Sequence, residues 1–446
     1  MKVVSRAVVL SGVIVLCAGG VFACLVLASG PKSSLRDPGS ASRPDDGDEY
    51  LARTADCVAC HSVPGGKGFA GGLKMGTPLG AIYSTNITPD PETGIGNYSL
   101  ADFDLAVRHG IAKDGHHLYP AMPYPSYVKL ADADVVALYR FFMKKVPPIH
   151  QPNLRNEIPA LLSVRWPLAF WNFFFVPSVG YVAKPDHDMV WNRGAYLVQG
   201  PGHCGACHTP RGIGAQEEAL DDGSASFLAG AELDAWYAPS LRDDMRTGLG
   251  AWSTKDISEF LKHGHNRVGS AFGSMTDVIS NSTSYFSDSD IDAIAVYLQS
   301  LPATSVQQAV VYDNATTDAL RNGPATQPGA VTYASDCSSC HGFDAKGFSE
   351  YMPALAGNPV VLDEDPSSLI NVVLNGSVPL VAAGIPDAYR MPQFRQQFSD
   401  QDAADVITFM RSHWGNQAPA VTATQVARLR KTTNPTSDQV IILKMR

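Results

Sequence analysis

Outside an apolar N-terminal stretch, the sequence has no cysteine that does not belong to one short pattern, and it has no block of Lys or Arg. Only 17% of its 446 residues are charged and the net charge is −9. That balance excludes the electrostatic footprint of a nucleic-acid binder, so no nucleic-acid partner is expected. Past residue 28 no apolar run is long enough to cross a bilayer: 163–181 is too short, and Val440–Leu443 is shorter still. Uninterrupted regular elements are also scarce, because Gly (39) and Pro (31) break the chain often. What remains is an apolar fraction of 45%, typical of a folded chain. At about 150 residues per domain the length suits three domains. Small domains rich in loops fit a chain wrapped around something other than its own side chains.

The N-terminus carries Lys2 and Arg6, then an uncharged apolar run of 22 residues from Ala7 to Ala28. A secretory signal has an apolar core of about 7–15 residues, whereas a spanning helix needs about 20. An uncleaved anchor is therefore expected. A signal cleaved after Val26-Leu27-Ala28 and a lipoprotein box at Val21–Cys24 are the alternatives. Basic residues ahead of the run and Asp45, Asp46, Asp48 and Glu49 behind it place the body outside the cytoplasm.

Cys17 and Cys24 lie inside that run as small apolar residues. The other six form Cys57-Val-Ala-Cys60-His61, Cys204-Gly-Ala-Cys207-His208 and Cys337-Ser-Ser-Cys340-His341. C-x-x-C-H is the attachment signature of c-type haem: two thiols bond the porphyrin and the adjacent imidazole ligates iron. Zinc would want further Cys or His pairs, and a redox dithiol would not need His three times. Three covalently attached haem c groups are expected.

The repeat extends past the motif. Segments EYLARTAD, RGAYLVQGPGH and VTYASD precede the three copies, and TGIGNYSLADFDLAVRHG (93–110) matches TGLGAWSTKDISEFLKHG (247–264). Ser99 with Asp102, and Ser253 with Asp256, read as helix N-cap boxes. Amphipathic closing helices follow in 130–143, 286–301 and 398–414, with Val135, Leu138, Phe142, Ile291, Ile294, Leu298, Val406, Phe409 and Met410 on their apolar faces. The expected fold is mainly α: three tandem cytochrome c-type domains, each around one haem. Expected boundaries are 1–30 anchor or signal, 31–48 linker, 49–150 domain 1, 151–185 aromatic segment, 186–302 domain 2, 303–325 linker, 326–415 domain 3 and 416–446 polar tail.

Met opposite His raises a haem potential. Met122, Met275 and Met391 occupy the matching place before each closing helix, 61, 67 and 50 residues after the proximal His. All three read as lying on Gly- or Pro-bearing loops. The stretch LYPAMPYPSY (118–127) reads as a rigid arm too kinked for helix or strand. His109, His116, His117, His203, His263 and His265 are weaker ligand candidates. Arg211 is expected either to pair with a haem propionate or to cap a loop. Four glycosylation sequons need no function, and the aromatic stretch 163–181 is either interdomain core or a docking or membrane-interface surface.

Around these motifs the chain resembles the tri-haem cytochrome c subunits of bacterial membrane-bound dehydrogenases for alcohols, aldehydes, gluconate, sorbitol or fructose. The residues that carry the resemblance include STNITPDPETGIG (84–96), AVRHGIAKDG (106–115), LYPAMPYPSY, RWPLAFW (165–171), GPGHCGACHTPRG (200–212), FGSMTDV (272–278) and LAGNPVV (355–361). It implies that each Cys-Cys-His-Met set binds haem. It also implies that electrons pass from a large catalytic subunit, with a small iron–sulfur subunit as a candidate third member, through the haems to ubiquinone in the membrane. The N-terminal anchor is more like cytochromes serving molybdopterin aldehyde dehydrogenases, although in that group the first distal ligand is often absent. An aldehyde dehydrogenase complex is the expectation, with quinoprotein alcohol or flavoprotein sugar dehydrogenase as the alternative. The chain is expected to transfer electrons and not to oxidise substrate itself. A peroxidase-type haem enzyme and a free-standing carrier are the rival readings.

Overall fold

The computed structural model describes residues 30–33, 35, 46–77, 79–233, 235–323, 326–348, 351–387 and 389–435. The N-terminal run expected as an anchor and the Val440–Leu443 stretch lie outside the described residues. Among the described residues, no helix is long and apolar enough to cross a membrane.

Helices begin where the sequence supplies caps. The Ser99 and Ser253 hydroxyls each accept from the backbone N–H three residues on, and the Asp102 and Asp256 carboxylates return the bond. The same reciprocal cap opens the Asp400–Ser412 helix through Ser399 and Asp402. These helices then bury their apolar stripes in three separate cores. In the first, the Asp46–Thr54 helix packs against Asp132–Lys144, gathering Leu51, Val58, Phe103, Val135, Leu138 and Phe142. In the second, the Met189–Gln199 helix lies against Asp288–Gln299 around Leu197, Ile257, Ile291 and Leu298. Gly194 permits that crossing, because a Cβ there would stand 2.0 Å from the Ala293 carbonyl oxygen. In the third, Tyr333, Leu369, Val406, Phe409 and Trp414 pack between the Ala330–Cys337 helical stretch and the Asp400–Ser412 helix.

The residues expected on apolar faces of the closing helices are therefore core. Sheet is confined, among the described residues, to three antiparallel hairpins: Lys74–Thr77 with Gly80–Tyr83, Ala231–Leu233 with Trp236–Ala238, and Val381–Ala382 with Ile385–Pro386.

Two stretches hold more structure than the sequence promises. A helix over Ala315–Asn322 occupies the expected second linker. The expected polar tail holds the Ala423–Thr432 helix, capped by Thr422 and Gln425, and buries Val426 and Leu429 in the third core. Its Arg430 reaches Asp400 at 2.6 Å, tying it to the start of the closing helix. An apolar pair at i and i+3 is enough to dock this one short helix.

The cores are fastened to one another by polar contacts. Asp290, at the start of the second closing helix, accepts from Arg193 through both oxygens at 2.7 Å and from the Tyr50 hydroxyl at 2.5 Å. The Arg53 guanidinium lies 3.7 Å over the Tyr285 ring. Between the second and third cores, Ser368 Oγ accepts from the Tyr237 N–H and donates to its carbonyl.

Candidate haem-attachment sites

Each C-x-x-C-H stretch lies on a tight helical turn. The first spans Cys57–His61 directly after Asp56, which holds a left-handed φ of 45°. The second runs into Gly205–His208 after His203, at φ 36°. The third continues from a π turn, Tyr333–Cys337, into Ser338–His341. On a helical turn, residues i, i+3 and i+4 share one face, so the two thiols and the imidazole of each motif point the same way. The six motif cysteines form no disulfide. Burial pushes the Cys57, Cys60, Cys204 and Cys337 thiols up to about 12. Among the described residues no three His, Cys, Asp or Glu side chains gather into a metal-ion site.

The imidazoles are oriented alike. His61 Nδ1 donates to the Thr85 carbonyl at 2.7 Å, His208 Nδ1 to the Pro239 carbonyl at 2.7 Å, and His341 Nδ1 to the Pro353 carbonyl at 2.9 Å. A proton fixed on Nδ1 leaves Nε2 as the free ligand nitrogen, the arrangement by which a backbone carbonyl fixes a metal-binding histidine. Burial holds all three imidazoles below the usual histidine range and so keeps them neutral. The backbone repeats the theme. The carbonyls of His61, His208 and His341 accept from the N–H of Gly71, Gly230 and Gly347 at 2.8, 2.8 and 2.9 Å. These glycines sit at φ 74°, 94° and 70°, where a side chain would be strained.

Sequence reasoning missed these carbonyls and glycines, because their distances from the histidine differ in every copy. Only Thr85 had a signal, lying within the STNITPDP stretch.

The methionines are less uniform. Met122 packs on the first core with Cys57, and Met391 on the third with Cys337. Met391 is also pinned by a reciprocal pair with Ser377, its N–H to Oγ at 2.9 Å and its carbonyl to the Ser377 N–H at 3.0 Å. Met275 departs from the expectation of a loop: it sits in the first turn of the Ser274–Asn281 helix. That helix touches the Cys57–His61 turn and the Val381 strand, which Ser280 Oγ holds through the Val381 N–H. The arm 118–127 is likewise not free of helix, since Tyr124–Tyr127 forms one turn with Pro125 in an early helical position.

Of Arg211's two expected roles the described contacts show the cap: its guanidinium donates to the Ala206 carbonyl inside the second motif and lies 3.9 Å from buried Glu217. Three of the weaker histidine candidates are held by protein groups. His203 Nδ1 bonds the Pro201 carbonyl, His116 bonds Asp114, and His117 meets Asn172.

A helical unit with C-x-x-C-H on an early turn and its histidine backed by a carbonyl is the construction of a c-type cytochrome. Residues 192–302 match the family "Cytochrome c", and residues 324–410 match "Cytochrome C oxidase, cbb3-type, subunit III". The chain is 50% identical over 394 residues to the cytochrome c subunit of alcohol dehydrogenase (quinone) from Gluconacetobacter polyoxogenes, covering 87% of this chain and 84% of the relative. It is 52% identical over 390 residues to the gluconate 2-dehydrogenase cytochrome c subunit of Pantoea cypripedii, covering 86% and 88%. A fructose dehydrogenase cytochrome subunit from Gluconobacter japonicus is 37% identical over 419 residues, covering 88% and 84%. The chain belongs to the family of cytochrome c subunits of dehydrogenase complexes. It is an electron-transfer protein whose cytochrome c domains bind haem c covalently.

Proposed function

We propose that the chain carries three haems c and serves as the electron outlet of a periplasmic, membrane-bound dehydrogenase. Cys57 and Cys60, Cys204 and Cys207, and Cys337 and Cys340 would hold the porphyrins. His61, His208 and His341 would be the proximal ligands, and Met122, Met275 and Met391 the distal ones. The observation that carries this reading is the threefold recurrence of a motif turn whose histidine has Nδ1 tied to a carbonyl. Bound haem supplies one-electron carriage between ferric and ferrous iron. The chain's own residues set the orientation and basicity of the imidazoles and hold the sites in a fixed relation.

In this proposal electrons enter from a separate catalytic subunit and leave to ubiquinone, and the N-terminal run anchors the chain in the inner membrane. Two kinds of partner compete. The N-terminal run favours a molybdopterin aldehyde dehydrogenase with its iron–sulfur subunit. The 50–52% identity to alcohol and gluconate dehydrogenase subunits favours one of those oxidations, and because it spans nearly all of both chains it is the stronger support. The position of Met275 on a helix outside the second core supports one further reading, in which the second haem lacks a distal methionine and is open to small molecules.

Gentle detergent purification through a C-terminal tag tests the proposal. A co-purifying alcohol or gluconate dehydrogenase subunit, with quinone reduction on substrate addition, is the expected outcome. A molybdopterin subunit would restore the aldehyde reading, and absence of any large subunit would overturn the complex.

A further inference from the structure

The Leu168–Phe175 helix, LAFWNFFF, is built the opposite way round from a helix that serves a protein core. Its inward side buries Ala169 and sets Trp171 edge-on to Tyr124, and it is fastened by hydrogen bonds. Asn172 donates to the His109 carbonyl at 3.1 Å and accepts from the Tyr124 hydroxyl at 2.8 Å, and Trp171 Nε1 donates to the Gly214 carbonyl at 2.8 Å. Just before it, Arg165 donates to the His117 carbonyl at 3.0 Å and stacks 3.5 Å from the Tyr119 ring centre. These bonds fix the segment to the first and second units. Some aromatic side chains of the segment stay open to solvent: Trp166 is 58% exposed, Phe173 54% and Phe174 63%, and Leu161 and Val164, nearby in sequence, are exposed as well. An aromatic patch of this kind on a folded surface marks a contact with something apolar.

Two features point to lipid. From Pro159 to Ala183 the only charged residue is Arg165, whose guanidinium is turned inward, so nothing acidic opposes a phospholipid surface. The tether is also short. The apolar run ends at Ala28, and Leu35 already packs on the first core. Seven residues span at most about 25 Å when fully extended. If the run crosses the bilayer, the first unit sits against the membrane, and this patch is carried on that unit. Trp and Phe are the side chains that settle at the boundary between headgroups and acyl chains.

We infer that Trp166, Phe173 and Phe174, with Leu161 and Val164, form a membrane-interface foot that lies in the outer layer of the bilayer beside the N-terminal anchor. The inference rests on the anchor proposed above. The foot gives the cytochrome a fixed orientation on the membrane, with its first unit toward the lipid.

The full-length haem-loaded chain, reconstituted in phosphatidylcholine–phosphatidylglycerol vesicles containing lipids brominated near the headgroup, tests this by tryptophan quenching. Flotation with the vesicles reads the anchor independently. The expected result is flotation with a quenched component that disappears in Trp166→Phe and falls by at least half in Phe173→Ser/Phe174→Ser. Both variants alter exposed positions, and an unchanged haem spectrum checks that they fold. Flotation with equal quenching in the wild-type chain and Trp166→Phe would overturn the foot while leaving the anchor, and would assign the patch to the catalytic subunit. Failure to float would overturn both.

Discussion

The three proximal histidines share one geometric idea and differ in how the chain reaches it. His61 finds its carbonyl 24 residues on, His208 31 and His341 12. The motif was legible because covalent chemistry fixes its spacing. The acceptor was not, because any loop that brings a carbonyl to Nδ1 satisfies the same requirement. The glycines that follow are a test of this. A Cβ at Gly347 would stand 2.0 Å from the Met352 carbonyl oxygen and would demand a left-handed alanine. Gly347→Ala is expected to cost on the order of 2 kcal/mol in denaturant unfolding and to loosen the Pro353 carbonyl from His341. Met122→Ala is expected to lower the potential of one haem and give it a high-spin absorption band, since a methionine sulfur opposite histidine raises the potential. An unchanged spectrum would remove Met122 as a ligand. Met275 was placed on a loop because the stretch bears a glycine, whereas the structure uses Gly273 as the residue before the helix.

At the scale of elements, caps and apolar periodicity carried most of the reading. The opening and closing helices stand where the sequence put them, and their stripes are buried. Proline misled it at 118–127, where Pro125 fits the first turn of a helix instead of forbidding one. Removing the Ser99 cap by Ser99→Ala is expected to cost about 1 kcal/mol of stability, readable in thermal unfolding. The third core holds a less visible device. Arg411 is fully buried and donates to the carbonyls of Val361, Asp363 and Pro419 at 3.0, 2.7 and 2.8 Å. Nothing in the sequence distinguishes it from a surface arginine on a closing helix. Beside it, burial pushes the Asp363 carboxyl up to about 7. An unfolded aspartate titrates near 4, so between about pH 4 and pH 7 the folded chain holds a proton that the unfolded chain releases. Stability therefore falls as pH rises through that window and is level above it. Asp363→Asn is expected to abolish this slope and to stabilise the chain by on the order of 2 kcal/mol at pH 8 relative to pH 4. Equal pH profiles for the two proteins would show that the carboxyl is not buried as described.

At the scale of the whole molecule, repetition was legible and the joints were not. Tyr50 and Asp290 are 240 positions apart, and no local pattern pairs them. Tyr50→Phe removes two hydrogen bonds from the joint between the first and second cores, the one donated to Asp290 and the one accepted from the Ser287 N–H. It is expected to cost about 1 kcal/mol and to speed amide exchange in the Asp46–Thr54 helix. What the joints hold in register is the set of three attachment turns, and their number is the central claim. The direct measurement is haem per chain by pyridine haemochrome, on the wild-type chain and on Cys337→Ala/Cys340→Ala. The account predicts three haems in the first and two in the second. Two in both would mean that the third C-x-x-C-H turn, with its carbonyl-bound histidine, is a structural repeat without its cofactor.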